Sequence, residues 1–169
     1  MQQPLYGLIG GKLGHSYSKI IHEKIADYTY ELLPLPTEAE ARTFMERRAF
    51  AAINVPIPYK QFVIPYCDVV DPKAQSIGAV NTIVNRDGKL YGYNTDYAGF
   101  AYLAGVHGVD FAGKTVLVLA PGASLAEEAG RSAVAAAKAD CIVSANFCPE
   151  FCQPDYAFFT NSKRFEKLD

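Results

Sequence analysis

Polar side chains suited to hydrogen bonding and proton transfer are predicted at the open end of a β-hairpin. Residues 76–100, SIGAVNTIVNRDGKLYGYNTDYAGF, hold two runs rich in Val, Ile, Thr and Tyr on either side of Asp87-Gly88. An Asp-Gly pair favours a two-residue turn, because both residues tolerate positive φ. Side chains alternate faces with period two, so Asn81, Asn94 and Asp96 are expected on one face as a polar cluster.

Asp96 has two interpretations from the residues alone. Thr95-Asp96 precedes YAGFAYLAGV, which is typical of a short helix. An aspartate at that point can accept backbone N–H bonds as an N-cap, and this structural role is the favoured one. The alternative is a functional carboxylate in the polar cluster.

Two serines are predicted at the start of the first helix. The run over 5–9 is a short apolar strand ended by glycines, and KIIHEKIADY over 19–28 has apolar residues at helical spacing. Ser16 and Ser18 therefore lie at a helix N-terminus, where hydroxyl and backbone N–H groups can cap the helix or bind a carboxylate or phosphate. The two roles are compatible.

Asn54 and Lys60 follow another predicted strand. Ala51 to Val55 is an apolar run, and a proline-rich loop, PIPYK, comes after it. An exposed lysine after such a loop is the ordinary expectation for Lys60. Asn54 and Lys60 nevertheless share with Ser16 and Ser18 a position after a strand end.

The elements that position these residues alternate between strand and helix. Strands are predicted over 5–9, 30–35 and 51–55, with helices over 19–28 and 37–48 between them. The βαβα order implies a mostly parallel sheet with helices on its faces and an α/β fold. Ligands of such sheets collect beyond the carboxyl ends of the strands, so the polar residues there are candidates to converge.

A second unit is predicted to begin near Gly113. KTVLVLAPGAS is an apolar strand entering a glycine-containing turn, LAEEAGRSAVAAAKAD is an Ala-rich helix, and CIVSANF is a second strand. This order resembles the opening of a Rossmann unit, although strand, glycine turn and helix recur in many folds that bind no nucleotide. Residues 148–169 have no periodic pattern.

Composition excludes several classes of function. The chain has 169 residues, half of them apolar and a fifth charged, with a formal net charge of −2, so nothing suggests a nucleic-acid partner. MQQPLYGLIGG has no basic region and too short an apolar run for a signal peptide or a membrane span, and we expect a cytoplasmic protein. The cysteines, including Cys148 and Cys152, are expected to be reduced thiols and not a metal site.

Five segments resemble the shikimate dehydrogenase family in the order in which that family has them. Four resemble its substrate domain: GLIGGKLGHSYSKIIHE, AINVPIPYK, SIGAVNT and YNTDYAGF. The fifth, GKTVLVLAPGA, resembles the start of its nucleotide domain, so the resemblance covers about the first 120 residues by the matched motifs. It implies a substrate-binding catalytic domain over 1–105 and a partial, incomplete Rossmann-like NADP-binding domain over 106–169.

The resemblance also implies roles for individual residues. Ser16 and Ser18 would hold the carboxylate of shikimate, and Asn54, Asn81 and Asp96 would bind its ring hydroxyls.

Lys60 and Asp96 would be the catalytic pair in a reversible, NADP-dependent oxidation of shikimate to 3-dehydroshikimate, in aromatic amino-acid (chorismate) biosynthesis. The residue types suit this chemistry. Moving a hydride between an alcohol and a nicotinamide requires a proton acceptor at the hydroxyl, and a donor in reverse. A buried lysine can move such a proton, and an aspartate can orient the hydroxyl and stabilise the ammonium.

The chain departs from the family pattern at several positions. Pro56 stands where the family usually has Thr, so one contact to a ring hydroxyl is lost or remade, and Lys19 stands where Pro is usual. In the nucleotide half, Gly122 and Ala123 are the candidate cofactor-binding residues, but the turn over 120–123 keeps one glycine of the family's three. The glycines permit a tight turn and close approach to a pyrophosphate, so Ala and Pro there are expected to obstruct binding. The family's phosphate-binding Arg would fall near 146–147, which is Asn-Phe here.

Three alternatives remain open from the sequence. The chain is an NADP-dependent enzyme, or a module that binds shikimate or a similar hydroxylated carboxylate without hydride transfer, or a product that is truncated or out of frame after Leu119. Quinate is an alternative ligand to shikimate. If the cofactor half is incomplete, we expect an exposed sheet edge and association into a homodimer.

Overall fold

A computed structural model describes residues 4–14, 16–119, 136, 138–145 and 153–158. The chain divides into two compact units, Met1–Ala104 and Gly105–Asp169. The elements in chain order are β1 (Tyr6–Gly10), α1 (Ser18–Ile25), β2 (Tyr30–Pro34), α2 (Glu38–Arg47), β3 (Ala52–Asn54), α3 (Tyr59–Phe62), a 3-10 turn (Ile64–Tyr66), β4 (Val69–Val70), α4 (Pro72–Ile77), β5 (Thr82–Arg86), β6 (Lys89–Tyr93), α5 (Thr95–Val106), β7 (Val116–Leu119), β8 (Cys141–Ala145) and β9 (Tyr156–Phe158).

The first unit is built on a six-stranded mixed sheet in the order β2-β1-β3-β5-β6-β4. β1 pairs in parallel with β2 and with β3, and β4 pairs in parallel with β6, whereas β5 is antiparallel to both of its neighbours. The predicted α/β fold with a mostly parallel sheet and a hairpin is therefore confirmed. Close pairing of β1 with β2 requires a glycine at position 7, because a Cβ there would lie 2.6 Å from the carbonyl oxygen of Glu31.

The predicted hairpin forms with the expected register. Arg86 lies opposite Lys89, and Thr82 lies opposite Tyr93. Asp87 and Gly88 have φ angles of 53° and 82°, the left-handed values that an Asp-Gly turn adopts. The hairpin thereby brings the residues just before β5 and just after β6 to the same edge of the sheet.

Two helices of the first unit show how local sequence sets their ends. α2 begins with the predicted capping box, in which the Thr37 side chain accepts from the Glu40 N–H and the Glu40 carboxylate accepts from the Thr37 N–H. α1 also forms where helical spacing predicts it, but its isoleucines at 20, 21 and 25 are more than half exposed. The position of α1 therefore depends on polar contacts as well as on burial.

The core of the first unit lies between the sheet and the helices. Its largest fully buried side chains are Ile9, Met45, Ile53, Val55, Val63, Val80, Ile83 and Leu90. Most of these come from the central strands or the segments beside them. Close packing of these side chains therefore fixes the strands at the edge of the sheet where β3 ends.

The second unit contains a parallel three-stranded sheet in the order β7-β8-β9. β7 and β8 coincide with the strands predicted for a partial Rossmann-like unit. Sequence patterns did not indicate β9 or the two-residue β4. The predicted turn over 120–123 and most of the predicted helix over 125–140 lie outside the described residues. Residues 138–140, at the end of the predicted helix, are described and are not helical. No described helix combines the length and the apolar character needed to cross a membrane.

Candidate active site

A pocket of about 290 Å³ lies at the edge of the first sheet where β3 ends. Its lining includes Ser18 of α1, Asn54 at the end of β3, and Lys60 in α3. Asn81, just before β5, and Asp96, in the first turn of α5, complete the polar part of the wall. The position agrees with the expectation that ligands of parallel sheets bind beyond the carboxyl ends of the strands.

Two larger depressions, of about 710 and 690 Å³, lie at the other edge of the same sheet. Both include Pro4 and Thr29, which precede β1 and β2. Neither includes any of the predicted site residues. We therefore locate the candidate site by its chemistry and not by the size of the cavity.

Lys60 and Asp96 form an ion pair across the pocket. The Lys60 Nζ lies 2.5 Å from the Asp96 Oδ2, although 36 positions separate the residues in sequence. The Lys60 side chain is 28% exposed and that of Asp96 is 60% exposed. α3 is tied to the segment that leads into β5, because the Lys60 carbonyl accepts from the Val80 N–H at 2.9 Å. Folding of the chain therefore creates the pair and leaves it open to a ligand.

The N-cap of α5 is Asn94. The residue pattern alone had favoured Asp96 for this role. The Asn94 Oδ1 accepts from the Tyr97 N–H at 3.1 Å, the bond of an N-cap three residues earlier. The other end of the Asn94 amide donates to the Ala79 carbonyl at 3.0 Å. Both ends of the Asn94 amide are thus hydrogen-bonded to backbone, and Asn94 does not line the pocket. Asp96 is not needed as the cap, and its carboxylate pairs with Lys60.

The Asn81 carboxamide is buried and has a defined orientation. The residue is 8% exposed, and its Oδ1 accepts from the Thr95 N–H at 2.9 Å. The same oxygen accepts from the hydroxyls of Thr82 and Thr95, both at 3.1 Å. Because the oxygen end is engaged by donors, the NH₂ end of Asn81 is the end available to a ligand.

The Asn54 carboxamide is held between a phenol and a threonine. Its Oδ1 accepts from the Tyr30 hydroxyl at 2.6 Å, and its Nδ2 donates to the Thr82 Oγ1 at 3.1 Å. Burial raises the pKa of the Tyr30 phenol above its ordinary range, and the neighbouring Tyr28 adds to the shift. The phenol therefore remains protonated and serves as a hydrogen-bond donor.

The two predicted serines have different surroundings. The Ser16 Oγ accepts from the Ser18 N–H at 3.2 Å, so Ser16 satisfies a backbone donor at the start of α1. Ser18 lines the pocket, whereas Ser16 is not among the lining residues. The structure thus brings Ser18, but not Ser16, together with Lys60 and Asp96.

Lys19, at a position where Pro is usual in the family, fastens α1 to the sheet. Its Nζ lies 2.7 Å from the Glu23 carboxylate and 2.7 Å from the Tyr30 carbonyl. The Glu23 carboxylate raises the pKa of Lys19 by hydrogen bonding, partial burial opposes the shift, and nearby acidic charges add to it. The departure from the family therefore has a structural role in this chain.

Sequence reasoning missed several residues around the pocket. His22 lines it one turn after Ser18, and helical spacing of four residues was the signal that could have revealed it. Thr95 also lines the pocket, and Pro56 stands in its wall without a side-chain donor or acceptor. The Tyr30 hydroxyl donates to Asn54, and no sequence signal connects residues that are 24 positions apart.

The described residues include little of the predicted cofactor site. Gly122, Ala123 and the segment 146–147 lie outside them. β7 and β8 are parallel neighbours, as the opening of a dinucleotide-binding unit requires, so the described strands fit such a unit. No group of His, Cys, Asp and Glu suited to a metal ion occurs in the part of the chain that the structure describes.

Comparisons with a family model and with curated proteins point to the shikimate dehydrogenases. Residues 8–83 match the family model for the shikimate dehydrogenase substrate binding domain. A shikimate dehydrogenase (NADP(+)) of Clostridium perfringens strain SM101 is 42% identical over 125 residues, or 70% of this chain and 46% of the relative. The corresponding protein of Moorella thermoacetica is 38% identical over 154 residues, or 86% of this chain and 51% of the relative. The chain spans about half the length of these curated relatives.

Solved structures give the same result. Shikimate dehydrogenase 1 from Peptoclostridium difficile has a TM-score of 0.62 and 27% identity, over 93% of this chain and 61% of that one. Shikimate 5-dehydrogenase from Thermus thermophilus, solved in complex with NADP(H) and shikimate, has a TM-score of 0.61 and 28% identity, over 98% and 59% of the chains. By sequence and by fold, this chain resembles the shikimate dehydrogenases, and residues 8–83 match the substrate binding domain of that family.

Proposed function

We propose that this chain binds shikimate in the pocket at the end of β3 and takes part in its NADP-dependent, reversible oxidation to 3-dehydroshikimate. The single observation that supports this most is the Lys60–Asp96 pair, 2.5 Å apart, in one pocket with Ser18, Asn54 and Asn81. A base beside a carboxylate, surrounded by amide donors, suits an alcohol substrate with several hydroxyl groups.

Binding uses groups with defined polarity. Ser18 opens α1, where its hydroxyl and the free N–H groups of the first turn suit the substrate carboxylate, and Ser16 supports that turn. The NH₂ ends of Asn54 and Asn81 donate to ring hydroxyl oxygens, and the Asp96 carboxylate accepts from a ring hydroxyl. Pro56 offers no such contact, so the hydroxyl that the family usually binds there with Thr must be held by other groups.

Proton transfer belongs to Lys60. In the direction of oxidation, Lys60 in its deprotonated form accepts the proton of the hydroxyl that becomes the ketone. In reduction the ammonium, the form that pairs with Asp96, returns the proton. Asp96 stabilises that ammonium and orients the hydroxyl. NADP, when bound, supplies the nicotinamide that takes the hydride. We propose residues 1–105 as the substrate-binding domain and 106–169 as the start of the NADP-binding domain, with Gly122 and Ala123 at its turn.

A second candidate is a shikimate-binding module without hydride transfer. Its support is that all the pocket residues lie within Met1–Ala104, while the sequence over 120–123, where a turn is predicted, has Ala and Pro at positions where close approach to a pyrophosphate favours glycine. Quinate, which has the same carboxylate and similar hydroxyls, is the competing ligand for either function.

We also propose a cytoplasmic location and association into a homodimer. The described cysteines, Cys67 and Cys141, are free thiols, which suits a reducing compartment. Burial raises the pKa of Cys67 to about 11, so its thiol is unreactive.

Light scattering at increasing protein concentration tests the dimer, and a monomer at every concentration would contradict it.

The deciding experiment combines calorimetric titration of the purified chain, using shikimate and quinate, with an assay of NADP-linked shikimate oxidation. Saturable shikimate binding with turnover supports the enzyme, and binding without turnover supports the module. Absence of binding to either compound would overturn both.

A further inference from the structure

We propose that Tyr30 is a positioning residue that sets the polarity of the Asn54 carboxamide, and that α1 holds Tyr30 in place for this purpose. The proposal deepens the proposed function, since it rests on the pocket being a site for a hydroxylated ligand. It adds a residue that lies behind the pocket wall and touches the ligand only through Asn54.

The Tyr30 hydroxyl is placed to control one end of the amide. Tyr30 is 2% exposed, and its hydroxyl donates to the Asn54 Oδ1 at 2.6 Å. A carboxamide has two orientations of nearly equal shape that exchange its oxygen and its NH₂ group. A protonated phenol aimed at one end favours the orientation with oxygen at that end, because with an NH₂ group there the phenol could only accept, and its O–H would lose the acceptor that Asn54 provides.

The chosen orientation has a consequence for the pocket. With its oxygen on Tyr30, Asn54 donates from Nδ2 to the Thr82 Oγ1 at 3.1 Å, and Thr82 donates onward to the Asn81 Oδ1 at 3.1 Å. The bonds therefore run in one direction from Tyr30 through Asn54 and Thr82 to Asn81. Both amides then offer N–H donors to a ligand hydroxyl. The Thr95 N–H fixes the orientation of the Asn81 carboxamide independently of Tyr30. The carboxamide whose orientation we assign to Tyr30 is therefore that of Asn54.

Three side chains on one face of α1 hold Tyr30. The His22 ring stacks on the Tyr30 ring with centroids 4.0 Å apart and planes 11° from parallel. Lys19 donates to the Tyr30 carbonyl at 2.7 Å, and the Tyr30 N–H donates to the Glu23 Oε1 at 3.1 Å. Positions i, i+3 and i+4 of a helix face the same way, so one face of α1 contacts both the backbone and the ring of Tyr30.

His22 is fixed from its other side. Its Nδ1 shares a hydrogen bond of 2.5 Å with the Tyr28 hydroxyl, and the ring itself forms part of the pocket wall. The helix that presents Ser18 to the ligand therefore also orients Asn54 through His22 and Tyr30. A change in the position of α1 would therefore affect ligand binding both through Ser18 and through Asn54.

The test compares two buried tyrosines in the full chain. Tyr30→Phe keeps the stacked ring and removes the hydroxyl. Tyr59→Phe is the matched control, because the Tyr59 hydroxyl donates at 2.6 Å to the Leu35 carbonyl, Tyr59 is 4% exposed, and neither residue lines the pocket. We expect Tyr30→Phe to weaken shikimate binding about tenfold, the effect of one hydrogen bond, and Tyr59→Phe to leave it unchanged.

A double variant separates positioning from simple loss of stability. In an Asn54→Ala background, Tyr30→Phe should cause no further loss of shikimate affinity, since its route to the ligand is gone. An equal loss in both backgrounds would overturn the proposal. Unchanged affinity in Tyr30→Phe would overturn it as well, even if the unfolding temperature falls.

A ligand-free measurement completes the test. The Asn54 side-chain NH₂ resonances of ¹⁵N-labelled protein should move in Tyr30→Phe and stay in place in Tyr59→Phe. If the parent chain binds no shikimate, the proposed function fails while this spectrum still judges the role of Tyr30. Asn54 resonances that are identical in the parent chain and in Tyr30→Phe would overturn the positioning role.

Discussion

The first sheet has an ion pair at each of its two edges, one where β3 begins and one where β3 ends. The two pairs differ in the groups that surround them. At one edge, the Arg48 guanidinium bonds to Asp68 and to the Gly88 carbonyl, both at 2.7 Å. Asp68 also accepts from the Leu90 N–H at 2.8 Å. This backbone bond is the main cause of the lowered pKa of Asp68, and Arg48 adds to it. Both members are thus engaged with the hairpin backbone.

At the other edge, Lys60 and Asp96 bond to each other beside a pocket lined by amides and hydroxyls. Among the described residues, the only hydrogen-bond partner of the Lys60 Nζ is Asp96, so the ammonium keeps donors for a ligand. An ion pair alone therefore does not indicate a functional site. What matters is whether the hydrogen-bonding capacity of the pair is used by backbone or remains open beside a cavity.

The largest expected effect comes from removing the open pair. Lys60→Met keeps the length of the side chain and removes the amine. We expect the rate of NADP-linked shikimate oxidation to fall about 10²- to 10⁴-fold, the contribution of a general acid–base group. Lys89→Met, in the hairpin and away from the pocket, is the control. A rate within twofold of the parent chain in Lys60→Met would contradict the role of Lys60.

An intermediate effect is expected at Asn81, where only the end that faces the ligand is changed. Asn81→Asp keeps an oxygen for the Thr95 N–H and replaces the NH₂ donor by a carboxylate oxygen. Shikimate affinity should fall at least about tenfold, since a donor is lost and like charge is added near a carboxylate ligand. Calorimetric titration measures this, with circular dichroism to check the fold. Undiminished affinity would mean that Asn81 does not bind the ligand.

The smallest effect on function is expected at the backbone-engaged pair. Asp68→Asn should lower the thermal unfolding midpoint and leave shikimate affinity unchanged. A carboxyl whose pKa is lowered by folding contributes stability above its unfolded pKa, and this contribution is lost as the pH falls through the folded pKa. The difference in midpoint between the parent chain and Asp68→Asn should therefore be present at neutral pH and shrink below about pH 4. A difference that grows in acid would contradict the assignment.

Local signals in the sequence predicted most of the elements, although not β4 or β9. The Asp87-Gly88 turn set the hairpin register, and Thr37 with Glu40 marked the start of α2, because each signal acts within a few residues. The site depends on contacts between distant segments. Resemblance to a family indicated Lys60 and Asp96, which the residue pattern alone did not pair.

Other features of the site could not be predicted from local patterns. Asn94 and Asp96 are both good N-caps, and only the path of α5 decides between them. The bond between Tyr30 and Asn54 joins two strands that lie on either side of β1, so it appears only once the sheet has formed. Lys19 departs from the family pattern, and its role emerges only from its bonds to β2.

The most direct test of the central claim is a titration of ¹⁵N-labelled chain with shikimate, followed by amide and side-chain chemical shifts. We expect shifts that saturate together at Ser18, Asn54, Asn81 and Asp96, with the resonances of Arg48 and Asp68 unmoved. Shifts confined to the edge with Arg48 and Asp68, or no saturable shift at any residue, would contradict it.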